Sequence, residues 1–110
     1  MDIDKLTIGE IRQIQTMFPH SGDHPYYVGK NYFIRTVTHH FTGKLIKVTE
    51  HELVLIDAAW IADDGRFHQA MKEGKLSEVE PYLDSQEVII GRGSIIDACV
   101  WGYDLPRDQK

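Results

Sequence analysis

The clearest grouping of side chains that could hold a ligand in this chain is Gly91-Arg92-Gly93. Small residues on both sides of Arg92 permit a tight loop that brings backbone amides and a guanidinium to one anion. The same three residues also make an ordinary hairpin turn with a solvated arginine, and both readings stand. Lys44, Lys47 and His51 are the other candidate ligand-binding residues, with Lys30 and Arg35 joining them if the basic side chains converge. His51 offers a ring on which a base could stack, but Glu50 and Glu52 beside it would repel a phosphate. No Walker loop or dinucleotide fingerprint accompanies these residues.

The remaining reactive side chains give no catalytic pattern, so no enzyme is expected, and the enzyme alternative would have to assemble its active site from dispersed residues. His39 and His40 are adjacent and would point to opposite faces of a strand. His20 and His24 are separated by turn formers, and no third ligand is placed for a metal, so neither metal nor cofactor is expected. Asp63 and Asp64 read as caps of a following helix before they read as hydrolytic carboxylates. Glu78 and Glu80 would share a face of an extended segment, a spacing that alone does not establish acid–base chemistry. Cys99 is the single cysteine. It excludes an intramolecular disulfide, and its apolar surroundings predict a buried small hydrophobe.

Trp60, Phe67, Trp101 and Tyr103 lie near the ends of the expected elements and are the candidate interface residues. Their rings would close the fold, cover a subunit boundary or stack on a base, in that order of preference. The formal charge of -5 argues against non-specific binding to a phosphate backbone. Basic residues lie early in the strand-rich part, whereas acidic residues from Asp63 to Glu87 crowd a polar segment. No apolar run is long enough to span a membrane and the acidic start lacks a secretory pattern, so a cytoplasmic protein is expected.

These residues must be positioned by one small domain, because 110 residues normally build a single core. Thr7-x-x-Glu10 has the spacing of a capping box and predicts a helix over 7–18 with Ile8, Ile11 and Ile14 on one stripe. Residues 32–58 read as a first group of short, β-branched strands, bent near Thr42 and Gly43, where glycine permits close backbone approach. Residues 59–86 form an inserted excursion with a short helix near Arg66 to Glu73. Residues 87–101 read as a terminal strand pair, and 104–110 as a flexible tail.

Two segments then carry a family resemblance. Phe41-Thr42-Gly43-Lys44-Leu45, followed by Leu53-Val54-Leu55-Ile56-Asp57-Ala58, is similar to the first signature of the Sm-like family. Ile90-Gly91-Arg92-Gly93-Ser94-Ile95-Ile96 is similar to the second. The resemblance implies a mainly β fold: an N-terminal helix, then a five-stranded, strongly bent Sm-like or SH3-like barrel with a short inserted helix. It further implies a non-enzymatic module that self-associates through edge strands, as a homo-oligomeric ring, and binds RNA or a nucleotide through Arg92. The chain departs from the family in its Val48–Glu52 loop, which lacks the family's Asp and the Asn that contacts an RNA base, and in its long insertion. An adaptor that binds a protein partner through residues 60–86 is the alternative expectation.

Overall fold

A computed structural model of the protein describes residues 24–110, so the helix expected over residues 7–18 lies outside the described residues. In chain order the elements are β1 (Asn31–Thr36), β2 (His40–Val48), β3 (Glu52–Asp63), α1 (Phe67–Glu73), β4 (Glu78–Pro81), β5 (Val88–Gly91), a 3-10 turn (Arg92–Ser94) and β6 (Ile95–Val100). All strand pairs are antiparallel, in the order β4-β3-β2-β1-β6, with β5 also paired to β3.

The geometry of β3 decides the architecture. Leu53 and Leu55 face one core, and strict alternation would put residue 57 there next. Asp57 instead adopts a left-handed backbone conformation at φ 52. Two steps along β2, from Thr42 to Lys44, are matched by three along β3, from Ala59 to Ile56. This β-bulge inserts an extra residue, so Ala58 takes the core-facing place and every later side chain changes face. The Asp57 carboxylate also accepts the Ser85 N–H at 2.9 Å, fastening the link between β4 and β5 to the bulge. The two halves of β3 therefore have different outer partners: residues 52–55 pair with β5, and residues 59–63 pair with β4.

Two apolar clusters follow from this change of face. Tyr32, Ile34, Leu45, Leu53, Leu55 and Ala58 pack with Val88 and Ile90 in the first. Phe33, Ala59, Ile61 and Val79 pack with Ala70 and Leu76 from α1 and its following loop, and with Trp101, in the second. Gly43 permits the closest approach within the first cluster. A Cβ built there would lie 3.0 Å from Leu55 Cδ1 and 3.2 Å from Ala58 Cβ, tighter than ordinary packing allows.

The expected five-stranded barrel is overturned. The sheet has six strands and stays open: no ladder joins β5 to β6, and among the described residues β6 pairs only with β1. Closure requires the two edges of a sheet to pair, whereas here β6 stands on one edge and the twelve-residue β3 carries both β4 and β5 on the other. Both faces are covered by apolar side chains, so the sheet buries them without closing on itself. The first signature-like segment lies inside β2, and the second spans the end of β5, the 3-10 turn and the start of β6. The Sm-like assignment falls with the barrel. So does the ring-forming module for RNA or a nucleotide, and the adaptor alternative loses the insertion on which it was framed, because residues 59–63 and 78–81 are strands of the sheet itself.

Other expectations meet a different arrangement. The strands expected as a pair over 87–101 find their partners in β3 and β1 instead of in each other. Cys99, expected to be buried, is exposed on the edge strand β6. Residues 104–110, expected as a flexible tail, are tied down: Lys110 and Val79 exchange backbone hydrogen bonds at 2.9 and 3.0 Å. No helix among the described residues is long and apolar enough to cross a membrane.

Candidate functional site

The bulge in β3 turns Trp60 outward, and strand register then builds a site around it. Phe41 on β2 lies opposite Trp60, and Trp60 lies opposite Glu80 on β4. Cross-strand neighbours on one face stand about 5 Å apart, so two aromatic side chains and a carboxylate form a continuous row. His39 closes one end from the turn between β1 and β2. Its ring centroid is 6.2 Å from Phe41 and 5.5 Å from Trp60. Tyr82, just after β4, closes the other end, and Pro81 lies between it and Glu80. These six residues line an open cleft of about 450 Å³.

Local hydrogen bonds hold each wall. Thr36 secures the His39 turn: its hydroxyl donates to the His39 carbonyl at 2.7 Å and accepts the His39 N–H at 3.0 Å. His39 Nδ1 shares a hydrogen bond of 2.7 Å with the Thr38 hydroxyl. On the opposite wall, the Tyr82 N–H donates to the Ala58 carbonyl at 2.9 Å. Arg107 grips the same place, donating to the Ala58 carbonyl at 3.0 Å, the Tyr82 carbonyl at 2.7 Å and Asp84 Oδ1 at 2.7 Å. Glu80 Oε2 accepts from Gln109 Nε2 at 3.0 Å, and no cation among the described residues pairs with this carboxylate.

The cleft therefore offers ring faces, which attract positive charge through their quadrupoles, beside a carboxylate that supplies a net negative charge. Trp60 is 38% exposed, enough to stack on an incoming group while its remaining surface packs on the sheet. This combination suits an organic cation better than an anion.

A second, more polar cleft adjoins the first across the His39–Trp60 ring pair. Here His40 Nδ1 donates to both oxygens of Asp64, at 3.0 and 2.9 Å, tying the start of β2 to the end of β3. The neighbouring hydroxyl, that of Thr38, bonds His39, so His40 and Asp64 form a strap without an adjoining nucleophile. Among the described residues no group of three or more His, Cys, Asp or Glu side chains is placed to hold a metal ion. Asp63 accepts the Gly65 N–H at 2.8 Å, and the N-cap position of α1 is Arg66, with no side-chain cap, so neither aspartate fills the capping role expected of it.

The residues singled out from sequence fall into three places. Arg92 donates to the Thr49 and Glu50 carbonyls at 2.7 and 3.2 Å, and its guanidinium lies 5.7 Å from the Tyr26 ring. Its N–H reaches the His51 carbonyl at 2.8 Å, and Gly91 pairs with Glu52, so Gly91, Arg92 and His51 are brought together. Gly93 sits in the 3-10 turn, while exposed Lys44 and Lys47 stand on β2 opposite Ile56 and Val54. Of the aromatic candidates, only Trp60 lines the cleft. Phe67 packs beside Phe33 with Arg35 4.6 Å above its ring. Trp101 is 3% exposed and stacks on Phe33 at 5.7 Å, placing it in the interior. Tyr103 donates its hydroxyl to the Met71 and Lys72 carbonyls at the end of α1.

Phe41, Glu80, Tyr82 and the outward role of His39 were not singled out as one site. The available signal was the apolar run through Trp60, but the sequence places residues 78–81 inside the excursion and gives them no strand to pair with. Family models, curated proteins and solved structures were compared with the chain, and none matches it.

Proposed function

We propose that this domain is a recognition module that binds a protein partner by taking one of its cationic side chains into the Phe41–Trp60–Glu80 cleft. The observation that carries the reading is the three-strand row itself, which sets ring faces beside a carboxylate without a cationic partner among the described residues. A basic side chain would gain cation–π contact with Trp60 and attraction to Glu80, while the open mouth leaves its backbone free to continue past the cleft.

Titration with short peptides of equal length, carrying central lysine, arginine, leucine or glutamate, tests this reading. The basic peptides should bind in preference to the leucine peptide, and Trp60→Ala or Glu80→Gln should reduce their affinity several-fold with the fold intact by circular dichroism. Equal binding of the leucine peptide would refute it.

A second reading adds self-association at β6. This strand pairs with β1 alone among the described residues, and Ile96, 64% exposed, and Val100 leave apolar surface on it. An edge strand of this composition favours pairing with another chain. Light scattering over a concentration series should show mass above the monomer, reduced by Ile96→Lys; monomer mass throughout removes this reading.

A further inference from the structure

We propose, building on the reading that the cleft takes a cation, that its preferred occupant is an alkylated ammonium, such as a trimethylammonium head, over a primary ammonium or a guanidinium. The distinction comes from counting hydrogen-bond donors against acceptors. A primary ammonium brings three N–H donors and a guanidinium five, and each needs a partner when water is displaced. A trimethylammonium brings none.

The cleft is poor in acceptors. Phe41 and Pro81 have no side-chain acceptor, and the Trp60 indole only donates. The His39 Nδ1 position is already engaged with Thr38, and one oxygen of Glu80 is engaged with Gln109. The local backbone is also committed, because Trp60 and Glu80 sit in the β3–β4 ladder. One carboxylate oxygen of Glu80 and the Tyr82 hydroxyl are left as the principal side-chain acceptors for an incoming donor. They can meet a charge at contact distance but cannot satisfy three or five N–H groups.

Methyl groups meet the opposite condition. They spread positive charge over a surface that packs on ring faces, and their transfer from water to an apolar wall is favourable. Phe41 and Tyr82 lean on the first core while Trp60 reaches solvent, so the walls are firm at the base and open at the mouth. A compact, rounded cation gains contact with several walls at once, whereas a planar guanidinium stacks on one.

The chemistry fits both a free quaternary ammonium molecule and a methylated lysine of a partner protein. Titration at constant ionic strength, followed through amide and indole NMR signals of the whole chain, separates these cases. The probes are tetramethylammonium, methylammonium and guanidinium chlorides, and one peptide carrying either trimethyllysine or unmodified lysine. Tetramethylammonium is expected to bind on the order of tenfold more tightly than methylammonium or guanidinium, with the largest shift at the Trp60 indole. Tighter binding of the trimethyllysine peptide than of tetramethylammonium supports a protein-borne occupant, and equal binding supports a free one.

Trp60→Ala should remove the selectivity, while Glu80→Gln should weaken all three cations and keep their order. Equal affinities for the three cations would overturn the preference for alkylated ammonium and leave the basic-side-chain reading standing. Absence of binding by every cation, with the basic peptides also silent, would overturn both.

Discussion

Replacing Arg107 with alanine should loosen the Tyr82 wall of the cleft and the bulge beneath it, by an amount that the hydrogen bonds allow to be worked out. Ala58 is fully buried, but its carbonyl also accepts from the Tyr82 N–H, so losing Arg107 leaves that oxygen with one partner. This loss costs about 1 kcal/mol. The Tyr82 carbonyl loses the charged donor at 2.7 Å in a half-buried place, costing about 1 to 1.5 kcal/mol more. The ion pair with Asp84 adds little, because the Asp84 side chain is 85% exposed and water screens it.

Arg107→Ala should therefore destabilise the domain by about 2 to 2.5 kcal/mol, whereas Asp84→Ala should cost less than about 0.5 kcal/mol. Urea unfolding followed by both circular dichroism and tryptophan fluorescence measures the difference. Arg107→Lys should recover only part of the loss, since an ammonium is a point charge without the planar fork that reaches both carbonyls. A cost for Arg107→Ala no larger than for Asp84→Ala would refute the reasoning and make the clamp a surface ion pair.

Gly43→Ala should cost about 1 to 3 kcal/mol by overpacking, because the new Cβ meets Leu55 at 3.0 Å in a filled core; thermal unfolding that stays within a degree would contradict the close approach. The bidentate contact with Arg35 holds the Asp97 carboxyl below its usual value, so the folded chain releases this proton more readily than the unfolded one. The resulting stabilisation is complete above about pH 5 and is lost as pH falls through the folded value. Both side chains are substantially exposed, so its size is below about 1 kcal/mol. Asp97→Asn should flatten this part of the stability profile below about pH 5; an unchanged slope would show that the pair contributes nothing.

The elements that local pattern could reveal are close to those observed. The helix read over residues 66–73 is α1, and Gly43 lies where close approach was expected. The remaining architecture depended on long-range pairing. Asp57 looked like the end of a strand because it interrupts an apolar run, yet as a bulge residue it lets β3 continue to Asp63. Pro81 permits an extended or a turn conformation, and only pairing with β3 makes it the last residue of β4, where a missing donor is tolerated. Cys99 sits in a run as apolar as any core strand, and its exposure follows from β6 being an edge, which no local pattern encodes. His40 meets Asp64 across 24 positions, and Trp60 meets Glu80 across 20, so neither contact had a neighbouring residue to announce it.

The shared outer edge of β3 also sets how the domain would carry a mechanical load. The C-terminal residues are fastened at Val79 through Lys110 and at Ala58 and Tyr82 through Arg107. Tension applied to that end enters β4 and passes into the half of β3 beyond the Asp57 bulge. The half paired with β5 lies on the other side of the bulge and is shielded from the pull. Under force the Lys110–Val79 hydrogen bonds and the Arg107 contacts would give way before the longer β3–β4 ladder, loosening the Tyr82 wall of the cleft while the first core stays closed.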